Sequence, residues 1–179
     1  MNTVFHVLKR NRFFTGQLLT AEDLELEQQY FREKLKRHNR SLHGFGVVGG
    51  LEVSITEGKI HLSPGLALDC QGNEIVVGVT LELALPDNSD GKGTTILGIS
   101  YLEEVSEPVP VPGLPEPQNS RIAESFAVVF QNENTNRGHR HLQSRWQACG
   151  KAHPLTIARL RLSLGYWRID RRYHPPSVK

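Results

Sequence analysis

The sequence predicts an α+β protein that is mainly β, in which an N-terminal amphipathic helix is followed by a small antiparallel β-sandwich or barrel. The helical signal is a run of apolar residues at heptad-like spacing, confined to residues 20–43. After Gly44 the period changes to two, and short alternating runs are separated by turn residues about every 5–10 positions. The 179 residues suffice for one ordinary domain that carries a helical arm.

The helix has recognisable start and stop signals. Thr20 is placed to act as N-cap, and Asp23 three residues later supplies an imperfect capping box. Acidic residues concentrate near the start and basic residues near the end, which complements the helix dipole. Gly44 is the expected C-terminal stop. The sequence therefore predicts a helix over residues 20–43.

One face of this helix repeats with a 4-3-4-3-4 spacing. It is formed by Leu24, Gln28, Phe31, Leu35, His38 and Leu42. Such spacing is typical of a helix that packs in a bundle or against a neighbouring subunit. An amphipathic helix folded onto its own sheet explains the same pattern, and the sequence leaves both alternatives open.

The first strands follow directly after the glycine-rich corner. Residues 47–55 alternate like a single half-buried strand, and Glu57 and Gly58 form a two-residue turn into the next strand. Further short strands are predicted on either side of a polar turn at residues 71–73. This succession of short runs and turns favours antiparallel pairing.

The second half contains longer elements and two irregular segments. Residues 96–102 and 122–130 are predicted strands, and the prolines between them should exclude ladder pairing and impose an extended connector. A late strand over residues 156–163 turns back at Leu164 and Gly165.

We divide the chain accordingly. Residues 1–19 form a basic N-terminal segment, residues 20–43 a helical arm, and residues 44–179 a β domain. The β domain contains a Pro-rich connector at 105–120 and a long polar loop at 131–153. A polar loop of that length is either functional or ordered by a partner.

The net charge of +2 conceals a strong asymmetry. Residues 1–19 carry +3, residues 20–49 carry 0, residues 50–133 carry −10 and residues 134–179 carry +9. The basic end lacks the interleaved aromatic residues of RNA-binding surfaces, so we expect no nucleic-acid partner. Opposite charges segregated along one chain favour docking in a defined register, within one subunit or between subunits.

The composition excludes several classes of protein. With 38% hydrophobic and 22% charged residues, the chain is neither a disordered tail nor a collagen-like protein. Two cysteines are too few for a disulfide scaffold and suit a reducing compartment. No apolar run approaches the roughly 18 residues of a membrane span, and we expect synthesis in the cytoplasm without a signal peptide.

Catalytic and cofactor motifs are absent from the sequence. The run Gly44–Gly49 matches the G-x-G-x-x-G spacing of dinucleotide-binding proteins, but it follows a helix and precedes a strand, the reverse of the required order. These glycines should instead permit close chain approach at the corner between helix and sheet. We expect neither an enzyme nor a bound cofactor.

Four side chains in the polar loop form a weak candidate metal site. They are His139, His141, Cys149 and His153. Zinc accepts such ligands, but the spacing matches no specific zinc motif, and nearby arginines oppose a cation. Surface histidines are the preferred interpretation, with a zinc-assisted hydrolase or a metal-stabilised fold as a lesser alternative.

Several motifs resemble a known group of proteins. They are FTGQLLTAEDL at 14–24, EQQY at 27–30, HNRSLHGFGVVGGLEV at 38–53, SPGLALD at 63–69, GNEI at 72–75, RIAE at 121–124, ARL at 158–160 and ID at 169–170. The chain thereby resembles small peripheral or baseplate-associated structural proteins of phage-tail-like contractile injection systems. The resemblance implies a structural, non-enzymatic assembly component of a cytoplasmic or released particle, and it assigns no catalytic residues.

Two hypotheses of function follow. In the first, the chain docks on other subunits of the particle, or on copies of itself, through the helix face and the charged C-terminal region with Arg159 and Arg161. In the second, it is a surface-binding module for a glycan or a membrane that uses the 132–153 loop, where Trp146 beside Arg145 offers a stacking surface.

Overall fold

The computed structural model describes residues 7–87, 93–132, 149 and 153–178. Within them, helix α1 spans Ala21–His38, and Asn39–His43 continue it as a π-helical turn. The strands are β1 Gly46–Gly50, β2 Val53–Thr56, β3 Lys59–Leu62, β4 Gly65–Leu68, β5 Glu74–Val77, β6 Leu81–Ala84, β7 Thr94–Val109, β8 Gln118–Asn132, β9 Leu155–Ser163 and β10 Tyr166–Ile169. The predicted class, a single N-terminal helix followed by antiparallel sheets, is confirmed.

The strands form three antiparallel sheets around one core. Their orders are β1-β4-β5, β2-β3-β6 and β10-β9-β7-β8. Ile60, Ile75 and Leu97, one from each sheet, are completely buried and belong to the same hydrophobic cluster. Burial of this apolar surface is the main force that holds the three sheets together.

The segment predicted as one strand over residues 47–55 is two strands in different sheets. The strand conformation is interrupted at Leu51, which has a positive φ of 57° and a side chain that is 4% exposed. Val53 and Ile55 pack against the core beyond the break, while Glu52 and Ser54 are exposed, so the predicted alternation survives. The prediction of a single strand is wrong. The chain passes from one sheet to another at Leu51, but buried and exposed residues keep alternating, so the sequence pattern does not reveal the change.

The glycine corner between helix and sheet has the predicted role. Gly46 has a φ of 138°, and a Cβ placed there would lie 2.5 Å from the carbonyl oxygen of Pro176. The C-terminal segment passes this close because the Val47 N–H donates a hydrogen bond to the carbonyl oxygen of Pro176 at 2.7 Å. Val47 and Ser177 also form a parallel β-bridge. Glycine is required for this approach.

Both predicted two-residue turns are confirmed. Glu57 and Gly58 connect β2 to β3, and Leu164 and Gly165 connect β9 to β10. All four residues have positive φ angles, between 52° and 81°. This is the backbone geometry that matches the twist of antiparallel strands in tight hairpins.

The prolines do not separate the predicted strands as expected. Strands β7 and β8 pair over nearly their whole length, with a gap at Glu107, and the ladder includes Pro108 opposite Asn119 and Val109 opposite Gln118. The prediction that prolines exclude ladder pairing holds for Pro110, Pro112, Pro115 and Pro117, which lie between the two strands. It is wrong for Pro108, because β9 pairs with β7 only as far as Ile99. Beyond Ile99 the side of β7 that faces away from β8 pairs with no other described strand. A proline is tolerated there because its missing N–H would have had no strand partner.

Leu97 and Leu102 on β7 provide a matched test of where the core ends. Leu97 is completely buried, whereas Leu102 is 40% exposed. We expect Leu97→Ala to lower the free energy of unfolding by about 2–5 kcal/mol, through lost burial and a cavity. Leu102→Ala should cost clearly less when both are measured by urea denaturation. Equal losses would contradict a core limited to the inner half of β7.

Candidate protein-docking surfaces

The helix begins and ends at side chains that the sequence predicted. Thr20 Oγ1 accepts a hydrogen bond from the Asp23 backbone N–H at 3.4 Å, and the Asp23 carboxylate accepts one from the Thr20 backbone N–H at 3.2 Å. At the other end, Gly44 has a φ of 81° and its N–H donates to the Asn39 carbonyl at 3.0 Å. The cap at Thr20 and the stop at Gly44 are confirmed, but the α-helix ends at His38 and the predicted last five residues form a π-helical turn.

The predicted helix face is open to solvent. Its four large apolar side chains are between 52% and 59% exposed: Leu24, Phe31, Leu35 and Leu42. Gln28 and His38 on the same face are exposed as well. No residue of α1 is buried, so the helix does not fold this face onto its own sheets. We call these six residues the helix seam.

A different side of the helix is fixed to the β domain by polar contacts. The buried Asn39 side chain donates to the carbonyl oxygen of Gly72 at 3.0 Å, and Arg40 Nη1 donates to the carbonyl oxygen of Gln71. Gly72 itself lies against the helix backbone, where a Cβ would overlap the carbonyl oxygen of Lys36. The helix is therefore held at its C-terminal end by the turn between β4 and β5.

Asp69 organises that turn. The side chain is buried, and Asp69 Oδ1 accepts from the backbone N–H groups of Gln71 and Asn73, both at 2.8 Å. Asp69 Oδ2 accepts from the Asn73 side-chain amide at 2.7 Å. These bonds satisfy a carboxylate that burial would otherwise penalise, and they fix the carbonyl groups on which the helix rests.

A second polar contact joins the middle of the helix to the β7–β8 ribbon. Arg32 Nη1 lies 3.5 Å from Glu103 Oε1, which also accepts a hydrogen bond from the Tyr101 hydroxyl at 2.9 Å. Burial, reinforced by this hydrogen bond to Glu103, raises the pKa of Tyr101. The Tyr101 hydroxyl therefore stays protonated and remains a donor to Glu103.

The segment before the helix exposes further apolar side chains. Phe14 and Leu18 are 69% and 84% exposed, and Phe13 and Leu19 are about half exposed. Asn11 Nδ2 donates to the carbonyl oxygen of Asp23, which ties this segment to the first turn of the helix. The helix seam is thus accompanied by a second exposed apolar stretch next to it in the chain.

The two arginines predicted at an interface converge on Asp170. Arg159 Nη2 and Arg161 Nε lie 2.7 Å and 2.8 Å from Asp170 Oδ2. The side chain of Arg159 is 21% exposed and that of Arg161 is 51% exposed, whereas that of Asp170 is only 6% exposed. A hydrogen bond from the Arg172 backbone N–H, together with both guanidinium groups, lowers the pKa of Asp170.

Beside this cluster lies an open groove of about 1000 Å³ with a basic lining. Its exposed cationic residues are Arg161, Arg168, Arg171 and Arg172. Among the described residues that line it, Asp170 is the single acidic one, and it is already paired with Arg161. The groove therefore offers positive charge to an acidic ligand or surface.

Of the four weak metal candidates, the structure brings two together. Cys149 and His153 meet Cys70, and the two sulfurs and an imidazole nitrogen lie within 4.8 Å of one another. The sequence could not identify Cys70 as a member because the fold, not the spacing, makes it a neighbour. His139 and His141 lie outside the described residues, as does Trp146 of the proposed surface-binding loop.

No protein-family model and no curated protein sequence matches the chain. Solved structures do share its fold. The crystal structure of TssK matches with a TM-score of 0.55 and 14% identity, over 96% of this chain and 42% of that chain. A chain of the baseplate complex from the type VI secretion system matches with a TM-score of 0.51 and 12% identity, over 96% and 60% of the two chains.

The TssK-TssF-TssG baseplate subcomplex of the type VI secretion system contains a further match, with a TM-score of 0.53 and 12% identity, over 96% of this chain and 62% of that one. The chain thus spans 42–62% of the length of these solved chains. It has the fold of proteins from phage-tail-like contractile injection systems, to which the sequence motifs pointed. No helix in the described part of the chain combines the length and apolar character of a membrane span.

Gly72 and Gly58 provide a matched test of helix docking. Both have positive φ angles, 90° and 75°, but a Cβ at Gly58 would meet open space. We expect Gly58→Ala to cost about 1–2 kcal/mol for its left-handed backbone. Gly72→Ala should cost at least about 1 kcal/mol more, since it also displaces the helix. Equal destabilisation of the two variants in urea denaturation would count against a close helix contact at Gly72.

The Asp170 cluster predicts a pH-dependent stability. A lowered pKa means that the stabilisation is present above the unfolded-state value of about 3.9 and is lost as the pH falls through the folded-state value. Asp170→Asn should lower the melting temperature at pH 7, and the difference from wild type should shrink towards about pH 3. Glu82→Gln, which breaks the exposed pair with Lys59, is the control and should have a smaller effect. A difference for Asp170→Asn that is constant with pH would refute this assignment.

Proposed function

We propose that this chain is a structural, non-enzymatic assembly component of a phage-tail-like contractile injection particle, cytoplasmic or released. It docks on neighbouring subunits, or on copies of itself, through its N-terminal helix and its charged C-terminal region. The observation that carries the proposal is the helix seam, an apolar stripe left exposed on a helix that polar contacts hold in place. The shared fold with type VI secretion baseplate proteins supports the class of particle.

The helix seam has the chemistry of a protein interface. Full burial of a Leu or Phe side chain is worth about 1.5–3 kcal/mol, so each half-exposed residue of the seam would add about 1 kcal/mol on docking. Helices commonly bind in this way, with anchors at i, i+4 and i+7 placed in a groove or against another helix. Leu24, Phe31, Leu35 and Leu42 supply these anchors at one face.

The basic groove complements the seam. Its arginines would orient an acidic partner surface and accelerate association, while the apolar seam supplies most of the affinity. Arg159 and Asp170 act as positioning residues here, because their ion pair fixes Arg161 at the groove. The acidic block of residues 50–133 on a second copy, with a charge of −10, is one surface of suitable sign.

Matched helix variants test the docking role. Leu24→Glu and Phe31→Glu place a charge in the helix seam, whereas Leu26→Glu places the same charge on another side of the helix, at a residue that is 39% exposed. We expect the two seam variants to be depleted at least about tenfold from purified particles, which corresponds to about 1.4 kcal/mol. Quantitative mass spectrometry of particles assembled in cells measures this.

Leu26→Glu should be incorporated like the wild type, and all three variants should keep the melting temperature and helix content of the folded protein. Normal incorporation of both seam variants would exclude the helix seam as a docking surface. Absence of the wild-type protein from purified particles would refute the proposed function as a whole.

A further inference from the structure

We propose that Cys70, Cys149 and His153 form a binding site for a thiophilic divalent cation of the zinc class. Each residue supplies one ligand atom, and the three ligand atoms lie within 4.8 Å of one another. Two sulfurs and one imidazole nitrogen are a ligand set that zinc uses in proteins. The inference goes beyond the proposed assembly role and does not depend on it.

The distance between the Cys70 sulfur and one ring nitrogen of His153 suits a tetrahedral ion. With Zn–S of about 2.3 Å and Zn–N of about 2.0–2.1 Å, two ligands at the tetrahedral angle lie about 3.5 Å apart. Cys70 Sγ lies 3.4 Å from His153 Nδ1 and 3.5 Å from His153 Nε2. Because this sulfur is almost equidistant from the two ring nitrogens, the imidazole must turn to direct the lone pair of one nitrogen at a cation held by the sulfurs.

The site is assembled from two distant parts of the chain, and the fold positions Cys70 and His153 within them. Cys70 belongs to the turn that Asp69 fixes with three hydrogen bonds. His153 lies two residues before β9, and the following Pro154 packs near Gly98 of the central strand β7. Two of the three ligands, Cys70 and His153, are thus positioned before a metal binds, which lowers the entropic cost of binding.

The charges also suit a divalent cation. Two thiolates and a neutral imidazole neutralise a charge of two, so the loaded site is neutral in a place where Cys70 is buried and Cys149 and His153 are half-buried. Asp69 is adjacent in sequence, but both its carboxylate oxygens accept hydrogen bonds from the turn. Three protein ligands leave one coordination position for water, as in other zinc sites with three protein ligands.

Metal binding would also stabilise the turn between β4 and β5, which holds the C-terminal end of the helix. Cys70 lies in the same turn as Gln71 and Gly72, whose carbonyl oxygens hold the end of the helix. A cation bound at Cys70 and His153 would tie that turn to the segment that enters β9. Binding should therefore raise the stability of the folded chain, because the assembled ligands exist only in the folded state.

The experiment uses the full chain, purified with a reducing agent and stripped of metal by a chelator. Zn²⁺ is added, and the metal content is measured by mass spectrometry after removal of free ions. We expect one Zn²⁺ per chain and a rise in melting temperature that a chelator reverses. Replacement by Co²⁺ should give thiolate-to-cobalt charge-transfer absorption, a readout that surface histidines alone cannot produce.

Variants assign the ligands. Loss of a residue that hydrogen-bonds to a metal ligand lowers metal affinity by about 10–100-fold. Loss of a ligand itself should cost at least as much, so we expect Cys149→Ser and His153→Gln each to weaken Zn²⁺ binding by about 100-fold or more. Both residues lie outside the strands, so these variants should fold even where the buried Cys70→Ser does not. His61→Gln, on strand β3, is the matched control and should bind Zn²⁺ like the wild type.

Three results would contradict the proposed metal site. Failure of the reduced wild type to retain Zn²⁺ removes the site, and unchanged affinity in both Cys149→Ser and His153→Gln moves any binding elsewhere. A Cys70–Cys149 disulfide in protein purified without reductant, combined with no Zn²⁺ binding after reduction, would identify the two thiols as a redox pair instead.

Discussion

The three hydrogen bonds that the buried Asp69 carboxylate accepts are the constraint on which the rest of the structure depends. They shape the five-residue turn between β4 and β5, whose carbonyl oxygens at Gln71 and Gly72 receive Arg40 and Asn39 from the end of the helix. Asp69 thus shapes the turn on which the end of the helix rests, and the contact between Arg32 and Glu103 adds a second point of attachment. The same turn presents Cys70 towards the segment before β9.

The helix combines two kinds of surface with different roles. Its contacts with the β domain, at Asn39, Arg40 and Arg32, are polar and directional, which fixes an angle without consuming apolar area. The apolar area remains in the seam, available to another protein. An anchored helix of this kind would lose little further entropy when another protein binds to it.

Local chemistry explains which features could be predicted from the sequence. The Thr20 cap, the stop at Gly44 and the turn at Glu57 and Gly58 each depend on a few adjacent residues, and all are confirmed. The break at Leu51 and the paired Pro108 depend on which strand lies alongside, information that residue periodicity does not contain. The candidate sites also depend in part on spatial neighbours that the sequence pattern does not reveal. The seam residues were visible in the helical repeat, but their exposure and the arrival of Cys70 beside His153 follow only from the three-dimensional fold.

The outer half of the β7–β8 ribbon has a consequence for solubility. In the described part of the chain no strand pairs with the far side of β8, and β7 lacks a second neighbour beyond Ile99, so both margins carry backbone groups able to recruit a foreign strand. Pro108 removes one donor from the edge of β7, and the exposed Glu104 carries a negative charge that repels the same edge of another copy. We expect Pro108 and Glu104 to act as gatekeepers that disfavour edge-to-edge pairing of the protein into amyloid-like stacks.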